Sequence, residues 1–317
     1  MEIILQSTGS QLPRRSLSND ELSRMVETSD EWIRSRTGIT SRYISGEDES
    51  LSLLAAKAAQ KALSSAGVEA SELDLIIGAT SSPDKSFPSC ACEVQALIGA
   101  ERAFCFDVSA ACSGFVYGMH IAESMMRASA YKKALVIGAD ALSKYIDWGD
   151  RSTCVLFGDG AGAVLLSARE ESAEEKKGII AASLGSDGKG GEVLYRDCAG
   201  EDRFLHMDGQ SVFKFAVRTV PKSIEEVLEK AGTDKEEVDF FILHQANERI
   251  IDAAAKRLEL PKERFPMNLS EMGNTSAASI PVLLDELFKK GRIRKGMLIL
   301  ISGFGAGLTW GSMLIRY

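Results

Sequence analysis

The sequence predicts an α/β protein built from two similar halves. Three observations carry that expectation. Apolar runs rich in β-branched residues alternate with helical patterns. The runs are nearly continuous, as expected of strands covered on both faces of a sheet. One helix-and-strand stretch recurs in the second half of the chain.

In chain order, "SLSLLAAKAAQKALSSAG" (50–67) is an Ala-rich helix that stops at Gly67. "LDLIIGAT" (73–80) and "AFCFDVS" (103–109) follow as strands, then a helix over "SGFVYGMHIAESMMRAS" (113–129). "KALVIGAD" (133–140) and "AGAVLLS" (161–167) are the next buried strands. The segment 168–210 breaks the pattern. Its charge run "SAREESAEEKKG" predicts a solvated hairpin or loop, and "GSDGKGGEVLYRDCAGEDRF" predicts irregular surface. Pro221 within "GQSVFKFAVRTVPKSIEEV" predicts a kink or two helices. A helix stops at Gly232, and "VDFFILHQ" (238–245) and "KGMLILISG" (295–303) are strands around the helical "IPVLLDELFKKG" (280–291).

The recurrence is gapless between "ALSSAGVEASELDLIIGAT" (62–80) and "VLEKAGTDKEEVDFFILHQ" (227–245). It then continues more loosely, each copy ending in a Gly-rich turn and a strand. The expected division is an N-terminal half at 1–168 and a C-terminal half at 169–317.

The formal charge of −8 argues against a broad nucleic-acid face. The N-terminus lacks the charged and apolar regions of a signal peptide, and no apolar run reaches the ~18 residues that span a bilayer. The chain is expected to be soluble and cytoplasmic, with no membrane partner. Its six cysteines form no C-x-x-C pair and its three histidines lack ligand spacing, so no metal is expected. Most of the thiols are expected to be small buried hydrophobes. His120 is expected in the core and His206 in a loop.

Three residues could carry chemistry. Cys112, in "DVSAACSGF", falls at a strand-to-helix turn, where N–H groups and the helix dipole favour a thiolate. Its local context also fits a packed thiol. His244 ends a strand, where α/β sheets bind ligands, and Asn274 lies in "GNTSAASIP". Each alone fits a structural role. The repeat makes the element of Asn274 the counterpart of that of Cys112, so a pseudo-twofold would bring all three to one cavity. "GFGAG" (303–307) lacks the Lys-Ser/Thr of a phosphate loop. Its glycines fit a tight turn aimed at that cavity.

Taken together, "DEWIRSRTGITSRYI", "DVSAACSGF", "CVLFGDGAGAVLL", "MDGQSVFKFA", "LHQAN", "GNTSAASIP" and "GFGAGLTWGS" span nearly the whole chain. In order and spacing they resemble the β-ketoacyl-acyl-carrier-protein synthase III family, the initiating condensing enzymes of fatty-acid synthesis. The resemblance implies a thiolase-like fold, two pseudo-twofold α/β halves in a layered αβαβα core. It implies Cys112 as nucleophile toward an acyl-coenzyme A (acyl-CoA), with the N–H groups of Cys112 and Ala306 as oxyanion hole and Phe304 as a gate. Many relatives have glycine at 306. His244 and Asn274 would hold the thioester of malonyl-acyl-carrier protein (malonyl-ACP). CoA would meet Thr28, Trp32, Arg36, Arg151, Gly209, Phe213 and Asn247. Thr28 with Glu31 also fits a capping box. Phe87, from the partner of a homodimer, would close an acyl pocket shaped by Leu142, Phe157 and Leu205. Lys214, Arg249, Lys256 and Arg257 would dock the acidic carrier protein. No cofactor is implied, the CoA thioester being substrate. A synthase of a specialised acyl, polyketide or quinolone pathway shares the same triad. A Cys-His-Asn thioester hydrolase is a more remote alternative.

Overall fold

Residues 1–170, 177–199 and 201–317 are described by a computed structural model. The strands are β1 (Glu2–Gln11), β2 (Arg15–Ser18), β3 (Ser41–Ile44), β4 (Leu75–Ala79), β5 (Phe104–Val108), β6 (Lys133–Asp140), β7 (Gly160–Arg169), β8 (Gly178–Ser186), β9 (Leu194–Arg196), β10 (Leu205–Met207), β11 (Phe240–Leu243), β12 (Leu298–Gly305) and β13 (Thr309–Arg316). The helices are α1 (Asn19–Leu22), α2 (Asp30–Thr37), α3 (Leu51–Ala66), α4 (Cys90–Ile98), α5 (Gly114–Ser129), α6 (Gly209–Ala231), α7 (Glu248–Leu258), α8 (Leu269–Met272) and α9 (Ser279–Lys289).

Two sheets carry the fold, ordered β1-β7-β6-β4-β5 and β11-β12-β13-β8. In the first, β4 runs parallel to β5 and β6, and β7 runs antiparallel to β6 and β1. In the second, β11 and β12 are parallel and the remaining pairs antiparallel. Helices α5 and α9 lie between the sheets. Their Phe115, Met119, Ile280 and Leu284 join Ile77 and Val136 of one sheet and Ile242 and Ile301 of the other in one buried cluster. Helices α3 and α4 cover the outer face of the first sheet, and α6 and α7 that of the second. This is the αβαβα order that the resemblance implies. Because α5 and α9 touch both sheets, the inner strands have no polar face to spare, which explains their continuous apolar runs.

The gapless repeat has a structural counterpart. Asp74 and Asp239 each accept the first N–H groups of a neighbouring central strand. Asp74 takes Lys133 N–H at 3.0 Å and Asp239 takes Leu298 N–H at 2.8 Å. At the same sequence offset, Ala111 and Ser276 open short 3-10 turns at φ 46° and 51°, and these turns lead into α5 and α9.

Several expectations are corrected. A single helix, α6, runs through Pro221. Proline costs helix stability, but Phe215, Val220, Ile224 and Val227 bury that face beneath β8, β12 and β13. The Gly- and Asp-rich stretch is not wholly irregular, since β9 pairs with β10. Ser167–Arg169 belong to β7 and Gly178 opens β8, while residues 171–176 of the charge run lie outside the described residues. Helix α2 is capped by Ser29, whose Oγ accepts Trp32 N–H at 3.1 Å, and not by a Thr28–Glu31 box. His120 is half-exposed beside Glu123, and His206 lies in β10 with Nε2 2.9 Å from Asp202. Cys90 and Cys154 are buried, but Cys198 is exposed.

Candidate active site

Cys112 sits in the 3-10 turn Ala111–Ser113 between β5 and α5. Ser113 ties the turn back, its N–H and Oγ both donating to Ala110 O. Strand β12 presses on this turn at Gly305, where a Cβ would fall 2.7 Å from Cys112 N. Any side chain at 305 would push the thiol out of place.

The thiol is buried, and Ser276 Oγ donates a hydrogen bond to Sγ at 3.2 Å. Burial pushes it up to about 12. The Ser276 hydrogen bond pulls the other way, and the charge of Asp140 adds to the rise. The expected resting thiolate is therefore corrected. A helix N-terminus supplies about 0.3–2 kcal/mol, at most roughly one and a half pKa units, and desolvation exceeds it. Cys112 rests as a neutral thiol.

His244 follows β11 and extends the parallel ladder, its N–H donating to Ser302 O at 2.8 Å. Its Nδ1 lies 2.7 Å from Ser279 Oγ. That oxygen also accepts Gln245 N–H at 3.3 Å; in the tautomer in which the Ser279 hydroxyl donates to Nδ1, Nε2 carries the imidazole proton. Burial holds the ring down to about 3, hence neutral near pH 7. Phe304 meets it edge-on at 5.2 Å. Asn274 Oδ1 accepts Ser276 N–H at 2.9 Å, which leaves the Nδ2 end for a ligand. Backbone bonds to Leu156 and Gly158 fix Asn274 on the opposite side.

These side chains line one cavity of about 670 Å³. Its buried end holds Cys112, His244, Asn274 and Phe304, and its exposed rim holds Arg36, Arg151, Lys214 and Arg249. Trp32, Gly209, Phe213 and Asn247 lie along it. Arg151 stands 5.2 Å and Arg36 5.8 Å from the Trp32 ring centre. A second cavity of about 440 Å³ also reaches Cys112 and is lined by Leu142, Phe157, Leu205 and Ala306. Ala306 has no positive φ, so alanine stands there without strain.

Four of the candidate residues line neither cavity. Phe87 is 86% exposed. Thr28 has a buried Oγ1 without a partner. Lys256 and Arg257 are exposed on α7. Sequence reasoning missed Ser276, Ser279, Asp140 and Leu194. Only Asp140 carried a signal, as the one charge closing the wholly apolar run "ALVIGAD". Among the described residues no cluster of His, Cys, Asp or Glu could hold a metal ion, and no helix is long and apolar enough to cross a membrane.

A five-layer fold that brings a buried thiol, a neutral histidine and an asparagine to one cavity defines the acyl-transferring, thiolase-fold class of enzymes. Two family models match within the chain. "3-Oxoacyl-[acyl-carrier-protein (ACP)] synthase III" covers residues 106–188, and its C-terminal counterpart covers 228–317. The beta-ketoacyl-[acyl-carrier-protein] synthase III 1 of Bacillus cereus is 47% identical over 317 residues, covering 100% of this chain and 99% of that one. The crystal structure of 3-oxoacyl-[acyl-carrier-protein] synthase III from Aquifex aeolicus superposes with a TM-score of 0.95 at 48% identity, over 99% of this chain and 100% of that one. A priming β-ketosynthase of the R1128 polyketide pathway reaches 0.94 at 34% identity, over 99% and 96%. The chain belongs to the β-ketoacyl-acyl-carrier-protein synthase III family and is an acyltransferase.

Proposed function

We propose that the chain starts fatty-acid synthesis by condensing a short acyl-CoA primer with malonyl-ACP through acyl-Cys112. One observation carries this reading. His244 and Asn274 each have one hydrogen-bonding end engaged by a serine, which leaves an N–H donor apiece for the cavity they share with the Cys112 thiol.

In the first half-reaction Cys112 Sγ attacks the primer thioester, and the N–H groups of Cys112 and Ala306 hold the oxyanion. In the second, the Nε2–H of His244 and the Nδ2–H of Asn274 hold the malonyl thioester oxygen. Loss of CO2 leaves an enolate on that oxygen, and each aimed donor contributes roughly 3–4 kcal/mol to its stabilisation. A neutral imidazole suits this role, since it donates throughout without releasing a proton. Phe304 screens the malonyl carboxylate from polar partners. The carbanion then attacks acyl-Cys112 to give a 3-oxoacyl-carrier protein. Loss of CO2 drives the carbon–carbon bond, so this chemistry calls for no resident cofactor.

Trp32 with Arg36 and Arg151 gives an aromatic face and guanidinium planes for the CoA nucleotide. Thr28 lies beside them, and Gly209, Phe213 and Asn247 line the path inward for pantetheine. Lys214, Arg249, Lys256 and Arg257 form the docking face for the carrier protein. The primer chain enters the second cavity between Leu142, Phe157 and Leu205. The halves at 1–168 and 169–317 contribute Cys112 and the His244–Asn274 pair respectively. A homodimer is supported by β5, an open sheet edge with Phe104 42% exposed, and by Phe87 and Leu97 nearby in sequence, 86% and 49% exposed. Phe87 would reach the partner's acyl cavity. This reading places the enzyme in the cytoplasm.

Mass spectrometry after incubation with acetyl-CoA and longer acyl-CoA esters tests the proposal. The expected result is an acyl mass on Cys112 that persists until malonyl-ACP is added. Spontaneous hydrolysis of the label would favour a thioesterase, and absence of label across the panel would overturn the reading.

A further inference from the structure

We propose that Cys92 and Cys105 form a site of reversible oxidation, closed to an intrachain disulfide by hydrogen peroxide. Cys92 lies in the first turn of α4 and Cys105 in β5. Their sulfurs stand 3.1 Å apart. Packed carbon atoms sit about 3.5–4.0 Å apart, and sulfur is larger. The contact is therefore closer than two thiols serving only as packing groups need. Neither thiol is fully buried, unlike Cys90 and Cys154. Neither lines the two cavities around Cys112, so acyl transfer makes no use of them.

The backbone holds the pair face to face. Asp107 Oδ2 accepts Cys90 N–H at 2.7 Å and its Oδ1 accepts Ala91 N–H at 2.8 Å. Ser89 Oγ accepts Cys92 N–H at 3.2 Å. These bonds seat the first turn of α4 on the face of β5 that carries Cys105 and Asp107. Phe104 and Phe106 share the opposite face, their ring centres 5.6 Å apart. A strand added along the edge of β5 would use its backbone groups and leave the thiol face to α4. A disulfide bond is about 2.05 Å long. The sulfurs need to close by about 1 Å, within reach of a small side-chain rotation. Burial pushes the Cys105 thiol up to about 12, and the neighbouring Cys92 and the Asp107 charge add to the rise. The resting form is thus the dithiol, and its oxidation is slow until peroxide accumulates.

The step balances. One sulfur attacks the peroxide O–O bond, takes one oxygen as a sulfenic acid and releases water. The second sulfur attacks the sulfenic sulfur. The S–O bond breaks, and the hydroxyl leaves with the remaining thiol proton as water. Two thiols and one hydrogen peroxide give one disulfide and two waters, the sulfurs losing the two electrons that the peroxide gains. The new bond fixes α4 to the strand that leads into the Cys112 turn.

Peptide mapping of the peroxide-treated enzyme tests this, with free thiols alkylated on unfolding and trypsin applied without reductant. Cleavage after Lys85, Arg102 and Arg127 gives peptides 86–102 and 103–127. A Cys112→Ser background leaves Cys105 as the only cysteine of the second peptide. The two peptides should be joined in most chains, about 2 Da lighter than the two thiols, and dithiothreitol should release them. Cys92→Ser and Cys105→Ser should each cut the link at least tenfold, and either variant decides alone. Exposed Cys198 reports that the oxidant has acted. Oxidised Cys198 beside free Cys92 and Cys105 would overturn the proposal. So would a link that survives Cys92→Ser, which assigns it to Cys90, or one that joins two chains on a non-reducing gel.

Discussion

The chemistry of single residues here is set by what burial leaves unsatisfied. His244 and Asn274 are both buried, and each spends one hydrogen-bonding end on a serine, Ser279 at the start of α9 and Ser276 in the turn before it. His244→Ala should keep Cys112 acylation and lose condensation by about 10²–10³-fold, read by mass labelling and product assay. Loss of acylation alone would contradict the division of roles. The histidine also ties stability to pH. Its folded pKa of about 3 lies below the unfolded 6.5, so the unfolded chain takes the proton first as pH falls. Its contribution is complete above 6.5 and declines from there toward 3. By pH 5 about 2 kcal/mol is lost. Denaturant unfolding at pH 7.5 and 5 should show His244→Asn losing less stability than the parent by that amount. Asp140 works in the opposite sense, but it is common to both proteins and cancels. Equal losses in the two would refute the buried neutral imidazole. Cys112, His244 and Asn274 were legible because the repeat and the ordered motifs gave three ambiguous residues one shared position. Ser276 and Ser279 were not. A serine has no charge or periodicity to mark it, and its partners lie 164 and 35 residues away.

At the scale of elements, legibility followed hydrophobic continuity. β6 and β12 are buried almost end to end, and their apolar runs mark them plainly. β9 and β10 hold three residues each, inside a Gly- and Asp-rich stretch whose composition outweighs so short a signal. They are paired all the same, and they bring Leu194 and Leu205 to the second cavity beside Cys112. Helix α6 continues through Pro221 as one element, against expectation, because local propensity is blind to the sheet on which the helix packs. Helix α7 joins the two ends of the active-site cavity. Asn247 caps it by accepting Arg249 N–H at 2.9 Å, and its Nδ2 donates to Arg36 O at 3.1 Å. The helix that follows His244 is thereby tied to the one that carries Trp32. Lys256, seven residues beyond Arg249, lies on the same exposed face. Lys256→Glu should raise KM for malonyl-ACP several-fold at low salt and less at high salt, with acyl-CoA loading unchanged. An unchanged KM at low salt would remove α7 from the docking face.

The whole molecule is organised around one exchange between its halves. The turn that enters α5 lies beneath β12 of the second sheet, at Gly305. The turn that enters α9 lies beneath β6 of the first, where a Cβ on Gly138 would meet Ala277 O at 2.1 Å. Each half thus closes over the other's helix entrance, and the reactive groups gather where the two entrances meet. The repeat foretold that meeting, but a single sequence cannot show which outer edge of the assembly stays open. The second sheet ends on β11 and β8, and the first ends on β1 and β5. Strand β1 is backed by α3 and α9 and lies against β8, and α9 attends β11. β5 leaves Phe104 42% exposed, with Phe106 and Val108 half-buried beside it. An apolar edge strand with unpaired backbone groups is an aggregation hazard unless something covers it. A second copy of the same strand, related by a twofold, would cover it by antiparallel pairing and satisfy both edges at once. Phe104→Glu places a charge at the centre of that pairing. Analytical ultracentrifugation should then show a monomer where the parent sediments as a dimer. If Phe87 reaches across the interface, the monomer should also load acyl-CoA with altered chain-length preference. A parent that is monomeric at micromolar concentration, or a variant that dimerises as the parent does, would place the interface elsewhere.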